Sequence, residues 1–231
     1  MTGATFGDKH TDSWGLKLLQ TTIGFPEAKI FKIDKPAGNG SWDVTDYITG
    51  GDVKYSERTI QMTFDALGDY SSWHALVSGI AGYLHGRRLK IIMDTDPSFY
   101  YIGRLSVDTE KSNAVTHRVV ITGTVDPYKY EITSSTEDWL WDTFSFVDGV
   151  IRDYRNIEIN GEHTLIIPGR RKRVPPIFTC TAPMTVTYLG VTHDLHVGNN
   201  SSEHIVLGEG DHELIFHGHG VVTVEYRGAS L

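Results

Sequence analysis

Between Lys35 and Phe64 the chain reads KPAGNGSWDVTDYITGGDVKYSERTIQMTF, and the second half of this stretch constrains the fold more than any other. Val53 and Tyr55 share one parity, whereas Arg58, Ile60, Met62 and Phe64 keep the opposite one. Successive side chains on a strand point to opposite faces, so the register must change near Ser56-Glu57. A bulge or tight bend there is the simplest geometry. Pro36, Gly38 and Gly40 build a loop ahead of it, and Gly50-Gly51 a turn. Nothing in this stretch resembles a reactive centre.

Alternation continues on both sides. Residues 28–33 are strand-like, with Ala28, Ile30 and Lys32 opposed to Lys29, Phe31 and Ile33. A helix is predicted from about residue 71 to 84, because Trp73, Leu76, Val77, Ile80 and Leu84 recur at three- and four-residue spacings. Asp69 or Ser71 can cap it and Gly86 can end it. Gly79 and Gly82 each weaken such a helix by about 1 kcal/mol relative to Ala, which predicts close packing against a sheet. It is expected to be the one long helix. Leu89, Ile91 and Met93 then lead into the turn Asp94-Thr95-Asp96-Pro97, and Phe99, Tyr101, Gly103, Leu105 and Val107 share one face of the returning strand. A further strand carries His117, Val119, Ile121 and Val125 into Asp126-Pro127-Tyr128-Lys129.

Near Tyr130 to Thr136 the hydrophobic pattern gives way to Ser134, Ser135, Thr136 and Glu137, which places a domain boundary there: residues 1–133 and 134–231. Beyond it, Asn160-Gly161 between Ile157, Ile159 and His163, Leu165, Ile167 is the strongest short-range hairpin signal in the chain. Alternating runs at 184–188, 193–197, 205–207, 214–216 and 222–226, separated by Gly190, Gly198, Gly210, Gly218 and Gly220, predict a β-sandwich.

At 231 residues, either half is large enough for its own core. A formal charge of −8 argues against a grip on nucleic acid, which needs clustered Lys and Arg. Cys180 is the single cysteine, so no intrachain disulfide forms. The first residues lack a cationic start followed by a long apolar core, and no window reaches the roughly 20 apolar residues of a spanning helix. These features predict cytoplasmic synthesis, no cleaved signal and no membrane span.

The order of these features resembles the distal tail proteins (Dit) of long-tailed bacteriophages. The resemblance rests first on a G-x-x-D-x-T segment, a glycine and V-x-Y-x-x-R-x-I, here Gly40, Asp43, Thr45, Gly51, Val53, Tyr55, Arg58 and Ile60. It continues in Gly103-Arg104-Leu105, Asp126-Pro127-Tyr128-Lys129, the segment from Asp138 to Ile151 and the ending from Gly218 to Leu231. It implies a mostly β protein with an N-terminal split β-barrel carrying one helix and a C-terminal galectin-like or carbohydrate-module-like sandwich. It further implies a structural protein, not an enzyme, forming a homo-hexameric ring in the virion at the tail tip after assembly in the host cytoplasm. Such a ring is a hub for the tail tube protein, the tail-associated lysin or tail fibre, and receptor-binding proteins. DNA would cross its lumen without specific binding, consistent with the acidic charge. The same charge, repeated six times, would resist assembly unless the interfaces are large.

Candidate chemistry is sparse. His193, His196, His204, His212, His217 and His219 invite a metal, and His217-Gly218-His219 resembles the opening of a cupin motif. The acidic ligand then falls at the wrong spacing, since five residues separate His219 from Glu225, and both histidines have the parity opposite to Phe216 and Val222. No cofactor is expected. Asp94 with Asp96, or Asp138 with Asp142, could be imagined as a glycosidase pair, but Asp94 and Asp96 belong to a turn. No nucleophile elbow, phosphate loop or zincin motif occurs, and Cys180 sits in an apolar strand as filler. Two binding candidates stand: Arg170, Arg171, Lys172 and Arg173 for an anion or acidic partner, and Trp139 with Trp141 as a sugar-stacking platform. The alternative function is accordingly a carbohydrate-binding sandwich for host cell-wall glycans.

Overall fold

The computed structural model describes residues 2–66, 72–110, 117–136 and 153–231. The protein is mostly β, as its patterning predicts, with 56% of the described residues in strands. It divides into two compact units. One comprises Met1–Thr95, Tyr101–Pro127 and Leu231; the other comprises Asp96–Tyr100 and Tyr128–Ser230.

In the first unit, β1 (Ala4–Phe6), β2 (Lys9–His10), β3 (Leu16–Ile23), β4 (Lys32–Asp34), β5 (Ser41–Asp43), α1 (Thr45–Thr49), β6 (Arg58–Ala66), α2 (Trp73–Leu84), β7 (Arg88–Met93), β8 (Asp96–Glu110, of which Asp96–Tyr100 belongs to the second unit) and β9 (Arg118–Val125) follow in order. The main sheet runs β2-β1-β7-β8-β9-β6-β3 and curls as a half-barrel. The expected change of register near Ser56-Glu57 takes the form of a break: Tyr55 makes an isolated bridge to Ala28, and β6 starts at Arg58. From there Arg58, Ile60, Met62, Phe64 and Ala66 are all buried, in strict alternation.

Helix α2 starts two residues later than predicted, and the expected caps Asp69 and Ser71 lie outside the described residues. Trp73, Ile80 and Leu84 are buried in the same core as Phe6, Phe64, Ile91 and Ile121. One expectation about this helix needs correction. Gly79 and Gly82 do not pack against the sheet; both are exposed, and a methyl group added at either would meet nothing within 4 Å. The spacing identified the buried stripe but could not show what faced the other side. A second, short helix, α1, occupies the polar segment Thr45–Thr49 and ends at Gly50 in the left-handed conformation.

Arg58 is the one buried Arg or Lys among the described residues, with only 5% of its surface exposed. Its Nε donates to Gly24 O at 2.9 Å and its Nη1 to Pro127 O at 3.1 Å. The guanidinium lies 5.2 Å from the Tyr101 ring centroid and 5.9 Å from that of Phe25. A planar, always charged fork can reach two carbonyls while its faces meet aromatic rings; an ammonium cannot do both.

Gly103 is fixed by a different constraint. A Cβ there would fall 2.1 Å from Thr124 O and 2.4 Å from Val125 Cα, on the neighbouring strand β9. Only a residue without a side chain lets β8 and β9 approach so closely.

The second unit holds β10 (Lys129–Glu131), β11 (Ile157–Gly169), β12 (Ile177–Cys180), β13 (Met184–Tyr188), β14 (Val191–Leu195), β15 (Gly198–Ser201), β16 (Gly210–Glu225) and β17 (Ala229–Ser230). Six of these form a sheet in the order β14-β13-β16-β12-β15, with β11 along the other side of β16. Phe178, Val186, Leu214, Phe216, Val222 and Val224 fill a core separate from that of the first unit.

The Asn160-Gly161 hairpin does not form. β11 runs straight through it, with Asn160 opposite His219 and Gly161 opposite Gly218. β16 is likewise one strand through Gly218 and Gly220, whose φ angles of 145° and 149° suit glycine alone. Thirteen paired residues between β11 and β16 outweigh a local preference for turning.

Calorimetry of single variants should therefore separate these positions by sign. Gly103→Ala should destabilise the protein by about 1–3 kcal/mol through overpacking, whereas Gly79→Ala should raise stability by up to about 1 kcal/mol. Arg58→Met, which keeps bulk but leaves two carbonyls without a donor, should cost about 2–4 kcal/mol; an unchanged unfolding temperature would refute the role given to Arg58.

Candidate assembly surface

Between β3 and β6 the first unit extends an arm, residues 24–57, built as an irregular antiparallel ladder. At its root Gly24 N donates to Thr59 O at 2.9 Å and Ser56 N to Glu27 O at 2.8 Å. Further out Lys29 N donates to Lys54 O at 2.8 Å and Val44 N to Phe31 O at 2.9 Å. The ladder ends in the hairpin of β4 and β5, where Lys32 faces Asp43, Ile33 faces Trp42 and Asp34 faces Ser41.

Thr45 and Asp43 hold the corner. Thr45 Oγ1 accepts from Phe31 N at 2.9 Å, and Asp43 Oδ1 accepts from Thr45 N at 2.9 Å. Hydrogen bonds from Thr45, the hydroxyl before the amide, keep the Asp43 carboxyl below the usual carboxylate range. Arg58 pins the root through Gly24 and Phe25. Four motif residues of the sequence, Asp43, Thr45, Tyr55 and Arg58, thus act together in shaping this arm.

What the arm lacks is a core. Phe25, Ile30, Phe31, Ile33, Trp42, Tyr47 and Ile48 are exposed, seven of the thirteen large exposed hydrophobics among the described residues. Tyr47 is 91% exposed and Phe25 84%. Apolar surface concentrated on one projecting segment marks a contact site rather than the scattered exposure of ordinary surfaces. The sequence carries a trace of this: residues 30–33 put Ile30 on one parity and Phe31 and Ile33 on the other, with no buried face to receive either.

The candidates drawn from sequence fall elsewhere. Trp139, Trp141, Asp138 and Asp142 lie outside the described residues. The basic run serves the second unit itself. Arg170 Nε donates to Glu131 Oε1 at 2.8 Å, Arg171 Nη1 to Glu209 Oε2 at 3.0 Å and Lys172 Nζ to Tyr130 Oη at 3.2 Å. Arg173 stands beside Tyr188, whose phenol burial pushes up in pKa against the influence of that charge. Asp94 Oδ2 accepts from Gly3 N at 2.6 Å, and Asp96 pairs with Lys129 at 2.7 Å.

Of the histidines, His193 and His204 stack with ring centroids 6.1 Å apart. His217 and His219 are exposed, as their parity predicts, beside Glu162 at 3.6 Å and Asn160 at 3.2 Å. His212 is held by Tyr188 Oη at 2.8 Å and by Gly208. Among the described residues no group of three His, Cys, Asp or Glu side chains is placed to hold a metal. Cys180 is buried, and burial pushes its thiol pKa up, away from thiolate reactivity. A groove of about 540 Å³ beside β14 and β15 is lined by Thr192, His193, Asp194, Leu195, His196 and Asn199 among others, a mixed polar and apolar wall.

No family model matches the chain, and no curated protein does. Among solved structures, the SPP1 Dit protein (gp 19.1), described as a paradigm of the hub adsorption apparatus in phages that infect Gram-positive bacteria, matches with a TM-score of 0.64 and 11% identity, over 98% of this chain and 99% of that one. The baseplate of phage p2 in its activated conformation with Sr gives a TM-score of 0.37 and 10% identity, over 98% of each chain. Over nearly its whole length, therefore, this chain has the fold of the SPP1 distal tail protein.

Proposed function

We propose that this chain is a structural distal tail protein of a phage or prophage, assembling as a homo-hexameric ring at the tail tip. There it acts as the baseplate hub, joining the tail tube to a tail lysin or fibre and to receptor-binding proteins. Agreement of fold across both units and nearly every residue carries this proposal, because a hub of this kind is defined by geometry rather than by a reactive group. The first unit is then the ring-forming domain and the second the galectin-like domain.

The arm supports a ring made of copies of the chain. Exposed Ile33, Trp42, Tyr47 and Ile48 would be covered by a neighbour, and burial of side chains of this size supplies roughly 1.5–3 kcal/mol each. Six copies multiply that gain around a closed ring, and no copy is left with an open end. The gain must outweigh the mutual repulsion of chains that each carry a formal charge of −8.

Sedimentation at high protein concentration and moderate salt tests this reading. The wild-type chain should sediment as a particle of six copies. Trp42→Ser with Tyr47→Ser, two exposed sites, should leave circular dichroism and unfolding temperature nearly unchanged and yield monomer. A wild-type protein that stays monomeric, or a variant that still forms the full particle, would contradict the ring.

The groove beside β14 and β15, with its mixed polar and apolar wall, favours one further reading, a saccharide-binding second unit. Calorimetric titration of the full chain with N-acetylglucosamine oligosaccharides tests it: millimolar or tighter affinity that falls when Asp194→Ala is introduced supports it, and no heat of binding removes it.

A further inference from the structure

Helix α1 makes a corner of mixed chemistry on the arm. Asp46, Tyr47 and Ile48 are all exposed, Tyr47 almost entirely. Lys29 belongs to the same corner, since it borders a small hollow together with Asp43 and Asp46. Some of these charges are already matched: Asp43 lies opposite Lys32, and Asp52 pairs with Lys54 at 2.5 Å. Asp46 and Lys29 are left over. Both are exposed, and neither makes an ion pair among the described residues.

A second place on the same unit has the matching chemistry. A hollow of about 590 Å³ is lined by Glu57, His85, Arg88, Arg104, Leu105 and Asp126 among others, and no residue of α1 takes part in it. Arg88 Nη2 donates to Asp126 Oδ1 at 2.7 Å, so these two charges neutralise each other. Arg104 Nη1 donates to the uncharged Gly86 O, and Glu57 is exposed; neither makes an ion pair among the described residues. His85 Nδ1 accepts from Val107 N at 3.1 Å, which leaves the proton of the neutral ring on Nε2 as a donor. The hollow therefore offers one free cation, one free anion and a donor. The corner offers one free anion, one free cation and a phenol hydroxyl.

We propose that α1 of one copy seats in this hollow of the next copy, with Tyr47 entering it, Asp46 against Arg104 and Lys29 against Glu57. A ring closes only where two unlike surfaces of the same chain meet, and corner and hollow are such a pair. Opposite charges match two for two, which fixes partner and register across a contact. A tyrosine that is covered needs a partner for its hydroxyl, and His85 Nε2 supplies one. The proposal rests on the ring reading above and adds the place on the neighbour that the arm covers.

Sedimentation of charge-exchange variants tests it. Asp46→Arg, at an exposed site, should unfold at the wild-type temperature yet need a protein concentration at least about tenfold higher to assemble. Arg104→Glu should show the same shortfall, and the two substitutions together should restore assembly. Arg104 also holds Gly86 O, so its variants can lose stability. A second exchange avoids this, because the side chains of Lys29 and Glu57 have no hydrogen bond or ion pair among the described residues. Lys29→Glu and Glu57→Lys should each impair assembly alone and recover it together. Wild-type assembly by Asp46→Arg would overturn the proposal and leave the ring standing. So would a Lys29→Glu, Glu57→Lys double variant that folds and assembles no better than either single one. A wild-type chain that never assembles would remove the ring reading and this contact together.

Discussion

A single buried cation organises the first unit. Arg58 closes a junction between three parts of the chain: Gly24 and Phe25 at the root of the arm, Tyr101 in β8, and Pro127 just beyond β9. Its described partners are carbonyl oxygens and aromatic faces, which cancel little charge but satisfy a guanidinium geometrically. Removing the cation would leave two part-buried carbonyls without this donor, a loss larger than the modest net value of each bond. The direction in which the arm leaves the sheet is therefore set by a side chain in β6, not by the arm itself. Around that junction the backbone is just as constrained, because Gly103 admits no side chain between β8 and β9.

The two units use the same material in different ways. Each buries a closed apolar core, with Phe64, Ile80 and Ile121 in one and Phe178, Phe216 and Val224 in the other. Glu131 links segments far apart in the second unit, accepting from Arg170 Nε and from Gly228 N while only 8% exposed. With Arg171 and Lys172 also engaged, the most basic stretch of the chain becomes internal bracing. Apolar surface, by contrast, is left uncovered on the arm and at the Leu189 turn. A chain that covers its cores and leaves these two projections apolar is shaped for contact with other proteins.

How much of this was legible in the sequence depended on how local the cause was. Burial of Arg58, Ile60, Met62 and Phe64 on one face followed from alternation, and α2 from a three- and four-residue apolar spacing. Both are properties of a single element. Asn160-Gly161 misled because its preference for turning is local, whereas its pairing with His219 and Gly218 comes from residues nearly sixty positions away. Gly79 and Gly82 misled for a related reason: weakness in a helix announces a cause without naming it. The arm was legible as strand and turn but not as surface, since alternation cannot show that neither face has a partner within the chain. The basic run was visible as charge, and only the fold supplied Glu131, Glu209 and Tyr130 to hold it.

The central claim is that this chain carries out its work through assembly, with an arm held out by Arg58 to be covered by a neighbouring copy. Negative-stain microscopy of the purified, untagged protein tests it most directly. Class averages should show closed rings of six subunits around a central channel. Fields of single-subunit particles, at concentrations where tail components assemble, would contradict it.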